Sequence, residues 1–230
     1  MQYKNYIWDF DGTLFDSYPH ILSCMEMVCR EEGIVCDRTE LWRHLIVNFI
    51  VGRRFAGLSD EAYRRFVEYE LRLGDVELSP IVVPFPDTET ILRAIIKNGG
   101  RNYLYTHRNI SALKYLESAG FADCFADYVT SEEKFPTKPA PDAVLAIIKR
   151  NELDPAETVM VGDRFIDGMS GVNAGIAGAL ITAASDAIGD GVDGVAFELE
   201  QVPALSGVPA NAMTHVFPTL TVFGQELGII

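Results

Sequence analysis

The chain has 230 residues, and 48% of them are apolar, enough to bury a real core and too many for a disordered chain. At roughly 100–200 residues per domain, this is one large domain or one and a half. Its 33 acids outnumber its 19 bases and leave a net charge of −14, which argues against nucleic acid and against an anionic membrane surface as partners.

The first apolar run, Tyr6-Ile7-Trp8, stops abruptly at Asp9-Phe10-Asp11-Gly12-Thr13. A short apolar run bounded by a glycine turn predicts a buried strand. From Ser17 to about Leu73 the spacing becomes helical. Apolar residues recur at Ile21, Leu22, Met25, Val28 and Cys29, then at Leu41, Leu45, Phe49 and Ile50, then at Tyr63, Phe66, Val67 and Leu71. Three or four helices are expected there, with Gly33, Gly52 and Gly74 as stops. Pro80, Pro84 and Pro86 then interrupt the pattern in the manner of a boundary or hinge.

Strands and helices alternate from that point. The spacing predicts a helix over Thr88–Asn98, a strand over Tyr103–Tyr105, a helix over Ser111–Ala119 and a strand over Tyr128–Thr130. It continues with a helix over Pro141–Asn151, a strand over Thr158–Val161, a helix over Asp167–Ala174 and a strand over Ala179–Ile181. Such alternation makes an α/β fold, a Rossmann-like parallel sheet with helices on both faces. The first strand joins that sheet, so the helical stretch is an insertion. Segment 203–230 is apolar and punctuated by Pro and Gly. An edge strand, a packing tail and an association surface all fit it.

Ligands of an open parallel sheet bind beyond the carboxyl ends of its strands. The first strand ends in Asp9 and Asp11, the Tyr103 strand in Thr106, and the Val159 strand in Gly162-Asp163 with Asp167 four residues on. Lys138 precedes the helix that Pro139 or Pro141 opens. Four carboxylates, a hydroxyl and an ammonium therefore meet at one edge. Four clustered acids cannot all stay ionised without a cation, and a hard divalent ion with oxygen ligands is the natural one. Metal and ammonium to hold an anion, with a spare carboxylate to attack it, describe phosphoryl transfer.

The run Asp9-Phe10-Asp11-Gly12-Thr13-Leu14-Phe15-Asp16-Ser17 resembles the first motif of the haloacid dehalogenase superfamily. Thr106, Lys138-Pro139 and Gly162-Asp163-Arg164-Phe165-Ile166-Asp167 follow in the family's order. The similarity runs from about Asn5 to Ala184 and is greatest to the phosphoglycolate-phosphatase-like branch. The resemblance implies a Mg²⁺-dependent phosphatase of a small phosphorylated metabolite. It implies a core of residues 1–15 and 82–230, with a helical cap at 16–81. Asp9 resembles the nucleophile, and Asp11 the general acid and base. Thr13 would support Asp11; Thr106, His107 and Lys138 would bind phosphate. The metal would sit on the Asp9 carboxylate, the Asp11 backbone carbonyl, Asp163 and Asp167. Arg53 and Arg54, in the cap, and Asp16, beside the first motif, are candidates for substrate specificity.

The sequence departs from the family at His107-Arg108, where Asn often follows the Thr. Either an altered contact to phosphate or leaving group, or a solvated turn, fits that pair. Asp16 and Ser17 suit a helix cap, and His20 a surface or core position. Trp8 suits strand core and Trp42 cap core. Gly189-Asp190-Gly191-Val192-Asp193-Gly194 reads as a pair of turns, lacking the spacing of a calcium loop.

A phosphomutase of the β-phosphoglucomutase type is the competing enzyme, although Thr13 fits the hydrolase pattern better. A dehalogenase would leave Asp11, Asp163 and Asp167 unexplained. A non-catalytic phosphometabolite-binding protein on the same fold would not need Asp9, Asp11 and Lys138 together. No apolar run approaches the ~20 residues of a membrane span, and Met1–Asp9 lacks the features of a signal peptide. Cys24, Cys29, Cys36 and Cys124 form no CxxC pair and have no His partner at zinc-finger spacing. A cytoplasmic protein with reduced cysteines, monomeric or homodimeric, is expected.

Overall fold

β1 (Asn5–Trp8) is buried along its whole length. Tyr6 and Trp8 enter one core cluster and Ile7 another, the alternation of a strand covered on both faces. The computed structural model describes residues 1–75, 80–182 and 201–230.

Beyond β1 come β2 (Phe15–Asp16), α1 (Tyr18–Glu31), α2 (Arg38–Val47), α3 (Phe49–Ala56) and α4 (Asp60–Asp75). Then follow β3 (Val83–Pro84), α5 (Thr88–Lys97), β4 (Arg101–Tyr105), α6 (Ser111–Ser118), β5 (Phe125–Val129) and α7 (Asp142–Asn151). The chain continues with β6 (Thr158–Gly162), α8 (Phe165–Asn173), β7 (Ala177–Ile181), β8 (His215–Phe217) and α9 (Leu220–Glu226). The main sheet has the order β5-β4-β1-β6-β7-β8, and every pairing in it is parallel. The expected α/β class, with helices on both faces, is what the fold shows. Leu92 of α5, Leu116 of α6 and Phe223 of α9 pack with Tyr6 and Trp8 on one face. Val144 and Ile147 of α7 pack with Ile7, Tyr103 and Met160 on the other.

The four helices α1–α4 share a separate apolar cluster that includes Ile21, Met25, Leu45 and Phe66. The chain reaches them through β2 and leaves through β3. These two short strands pair antiparallel, Phe15 with Pro84 and Asp16 with Val83. The prolines read as a boundary thus lie at the root of the helical insertion.

Two glycine assignments need correction. Gly33 does follow α1 with a left-handed backbone, φ 69°. Gly52, expected to stop a helix, lies inside α3, and a Cβ there would press on the Leu45 side chain of α2. It is a close-packing glycine, and the stop of α3 is Gly57 in the left-handed region. Gly74 likewise falls within α4. Ser17 stands at the N-cap of α1 but makes no side-chain capping bond.

The C-terminal stretch is both an edge strand and a packing tail. β8 extends the sheet beside β7, and α9 returns to β1, where Phe223 packs edge-on to Trp8 with ring centres 5.4 Å apart. The turns read at Gly189–Gly194 lie outside the described residues. All four cysteines are free, and three of them, Cys24, Cys29 and Cys124, are buried. No helix among the described residues is long and apolar enough to cross a membrane.

Candidate active site

From β1 the chain goes to β4 and β5 on one side, then returns to β6 on the other. The carboxyl end of β1 is therefore the switch point where an open parallel sheet forms its crevice. Asp9 follows β1 directly, tied by its N–H to the Val161 carbonyl at 2.8 Å. The chain then turns at Gly12, φ 79°. A Cβ at Gly12 would collide with the Asp163 carboxylate and the Tyr18 ring, so only glycine lets the acidic segments after β1 and β6 meet. Asp163 follows β6. Asp167 lies in the first turn of α8, where its Oδ2 accepts the Arg164 N–H at 2.9 Å.

Carboxylate oxygens of Asp9, Asp163 and Asp167 all lie within 4.8 Å of one another, and all three residues are buried. Lys138 closes the group. Its fully buried Nζ is 2.5 Å from Asp9 Oδ1 and 2.9 Å from Asp167 Oδ1. It also donates to the Tyr105 carbonyl at 3.1 Å. Tyr18 donates to Asp163 Oδ2 at 2.6 Å, and Thr13 to Asp163 Oδ1 at 3.3 Å.

Burial is the main influence on these acids, because it disfavours the charged form. It raises Asp9, with Asp167 adding to the effect and Lys138 opposing it. It raises Asp163 further, the Asp167 charge reinforcing it. For Asp167 burial is outweighed by Lys138 and Arg164, which hold it low. Lys138 stays firmly charged because Asp167 and Asp9 overcome its own burial.

A second ion-pair chain adjoins the first. Arg108 follows β4 with its side chain buried, 2% exposed. Its Nε and Nη2 donate to Asp11 Oδ1 at 3.0 and 2.7 Å. Its Nη1 lies 2.8 Å from Glu70 Oε1, on α4. The guanidinium rests over the Phe10 and Tyr115 rings. Burial alone would raise Asp11, but Arg108 more than offsets it and holds the carboxyl below its usual range.

A divalent cation fits this donor set. Asp9 Oδ2 is buried without a hydrogen-bond partner. Five carboxylates, those of Asp9, Asp11, Glu70, Asp163 and Asp167, face three cations, Lys138, Arg108 and Arg164. Among the described residues the acids thus outnumber the cations, and a divalent ion would offset the excess. Oxygen-only ligands suit that ion.

The residues singled out from the sequence fall into three groups. Asp9, Asp163, Asp167 and Lys138 converge as described, and the Asp11 carboxylate stands apart on Arg108. Thr106 is buried and its Oγ1 accepts the Arg108 N–H at 3.0 Å, leaving its own proton free to donate. His107 lines the adjoining cavity, and its Nε2 accepts the Lys138 N–H at 3.2 Å. Thr13 was expected to support Asp11, but the turn at Gly12 directs its hydroxyl to Asp163. Asp16, Arg53 and Arg54 are not among the cavity's lining residues. Arg53 instead bonds the Leu58 carbonyl at 3.1 Å and pairs with Asp60. Arg108 is not in a solvated turn. Sequence reasoning gave no role to Tyr18, Glu70 or Arg164. Arg164 and Tyr18 lie beside quoted motif residues, whereas nothing in the spacing of α4 marks Glu70.

The sequence model of the haloacid dehalogenase-like hydrolases matches residues 6–181. A phosphoglycolate phosphatase of Vibrio vulnificus strain YJ016 is 30% identical over 187 residues, 74% of this chain and 79% of that protein. The crystal structure of a hydrolase from Streptococcus pneumoniae TIGR4 superposes with a TM-score of 0.57 at 29% identity, covering 76% of this chain and 91% of that one. A structure from Bacteroides fragilis shares the fold across 95% of this chain and 98% of its own, with a TM-score of 0.74 at 23% identity.

Proposed function

The chain belongs to the haloacid dehalogenase-like hydrolases, and on that premise we propose that, as a phosphatase of the family, it cleaves a small phosphorylated metabolite through an aspartyl-phosphate on Asp9. The observation that carries this reading is the Asp9 carboxylate, held at one oxygen by Lys138 and bare at the other.

Asp9, Asp163 and Asp167 would hold Mg²⁺, joined by the Asp11 backbone carbonyl. When bound, the ion neutralises phosphoryl oxygens and the surplus charge of the acids. Lys138 and Thr106 would bind the phosphoryl group, with His107 at the cavity wall. Lys138 also keeps Asp9 ionised. The Asp9 carboxylate attacks phosphorus: one P–O bond forms to Asp9 and the P–O bond to the organic group breaks. Asp11, ionised on Arg108 in the resting site, must first take up a proton with the substrate as that grip loosens, and it passes this proton to the departing oxygen. Asp11 then takes a proton from water, whose oxygen attacks phosphorus and frees Asp9 and inorganic phosphate.

Residues 16–81 act as the cap, and the β2–β3 pair as its hinge. Closure over the crevice excludes bulk water from the first step.

The test is phosphate release from a panel of phosphorylated metabolites, with and without Mg²⁺. Metal-dependent release that disappears in Asp9→Asn is the expected result. Undiminished turnover by that variant overturns the mechanism.

A further inference from the structure

Between the acidic cluster and helices α1, α3 and α4 lies a cavity of about 700 Å³. Cavities of roughly 300–1,000 Å³ bury drug-sized molecules; a two-carbon acid phosphate would leave most of this one empty. Its two ends differ in chemistry. Asp11, Arg108, Lys138 and Arg164 mark the end at the acids. Away from them the walls are Ile21 of α1, Phe49 of α3, Tyr63 and Val67 of α4, Ile166 of α8, and Val202.

A phosphorylated carboxylate brings a second anion, which needs a cation beyond the phosphoryl site. Among the described lining residues, the Lys and Arg side chains are Arg108, Lys138 and Arg164. Lys138 is committed to Asp9 and Asp167 and Arg108 to Asp11 and Glu70, while Arg164 stands 3.5 Å from Asp167, at the acid end where the phosphoryl group would lie. Glu70 also lines the cavity, paired with Arg108 at 2.8 Å, and adds no positive charge. Residues 165–230 contain neither Lys nor Arg.

We propose that this site takes phosphomonoesters whose organic part is large, uncharged and ring-bearing, in preference to phosphorylated small carboxylic acids. The proposal rests on the phosphatase reading and specifies its substrate class. The phosphoryl group occupies the acidic, cation-lined end. The organic group lies against Phe49, Tyr63 and Val67, where burial of apolar surface supplies the binding energy.

The experiment compares kcat/KM for 2-(1-naphthyl)ethyl phosphate and 2-phosphoglycolate on the full chain with Mg²⁺. Both esters release a primary alkoxide, so the comparison reads the pocket more than the leaving group. A preference for the naphthylethyl ester of about tenfold or more is expected. Equal or reversed preference, with Asp9→Asn inactive, overturns this proposal and leaves the phosphatase reading standing. Release from neither ester overturns both. Val67→Lys installs the absent cation and is expected to shift the ratio about tenfold towards 2-phosphoglycolate. If that variant does not fold, Phe49→Ala is expected to shift it the same way. An unchanged ratio in a folded variant shows that this wall does not meet the organic group, and the proposal falls.

Discussion

Arg108 grips the Asp11 carboxylate through two nitrogens and reaches Glu70 of α4 with a third. One guanidinium therefore ties the proposed proton donor to the helical insertion. For Asp11 to protonate a leaving oxygen, Arg108 must surrender part of that grip while still fixing the carboxylate's direction.

The contact makes Arg108→Ala costly in two ways. Asp11 loses its orientation, and Glu70 is left buried without this partner. A stability loss of ~3–5 kcal/mol in urea unfolding is expected, together with a drop in kcat of about 100-fold. Arg108→Lys keeps charge but not the fork. It should recover much of the stability and little of the kcat. Equal recovery of both would reduce Arg108 to a structural ion pair.

Lys138→Met removes the ammonium from between Asp9 and Asp167. Two buried carboxylates then face each other, and the protein should lose ~3–5 kcal/mol. Added Mg²⁺ should restore part of that loss, seen as a larger rise in Tm than the wild type shows under the same addition.

Tyr18→Phe deletes the 2.6 Å hydrogen bond to Asp163. Groups that orient metal ligands are typically worth 10–100-fold in metal affinity. Calorimetric titration with Mg²⁺ should show a loss of about that size. Unaltered affinity would mean that Asp163 is already held well enough by Thr13.

His20 is buried in α1, with its Nε2 3.5 Å from the Glu70 carbonyl. Burial pushes its pKa below 6.5 in the folded chain. The unfolded chain therefore binds the proton first, and stability falls as pH drops below 6.5. The slope reaches about 1.4 kcal/mol per pH unit for one proton. His20→Gln should reduce the slope of the unfolding free energy between pH 7 and 5, leaving the part due to His107, which burial pushes down to about 3. Identical pH dependence in both proteins would remove His20 from the account.

Phe223 on α9 touches Tyr6, Trp8 and Phe217 by ring contacts. Phe223→Ala should cost ~3–5 kcal/mol, measured by urea unfolding. A loss below ~1 kcal/mol would show that α9 is dispensable to the sheet.

The sheet, its helices and the acidic cluster were legible because each depends on local pattern. Apolar periodicity marks Tyr6–Trp8 and α5, and strand ends mark Asp9 and Asp163. What escaped depends on approach between distant segments. Gly52 looked like a helix stop, yet its role is set by Leu45 on another helix. Thr13 sits two residues from Asp11, but the turn at Gly12 sends it to Asp163, 150 positions away. Glu70 gains its meaning only where α4 packs near β4. The tail showed no period because β8 is three residues long and α9 seven, too short for a periodic signal.

The pairing of Asp16 with Val83 places the two ends of the helical insertion side by side. A loop whose ends already touch imposes almost no span on its content, and extra length within it adds little closure entropy. The sheet is thus insensitive to what is carried there. Helices α1–α4 can vary in length and content without straining the strands, although Tyr18 of α1 and Glu70 of α4 reach back to Asp163 and Arg108. A new substrate preference can thus be built within one contiguous stretch of sequence, so long as Tyr18 and Glu70 keep these contacts.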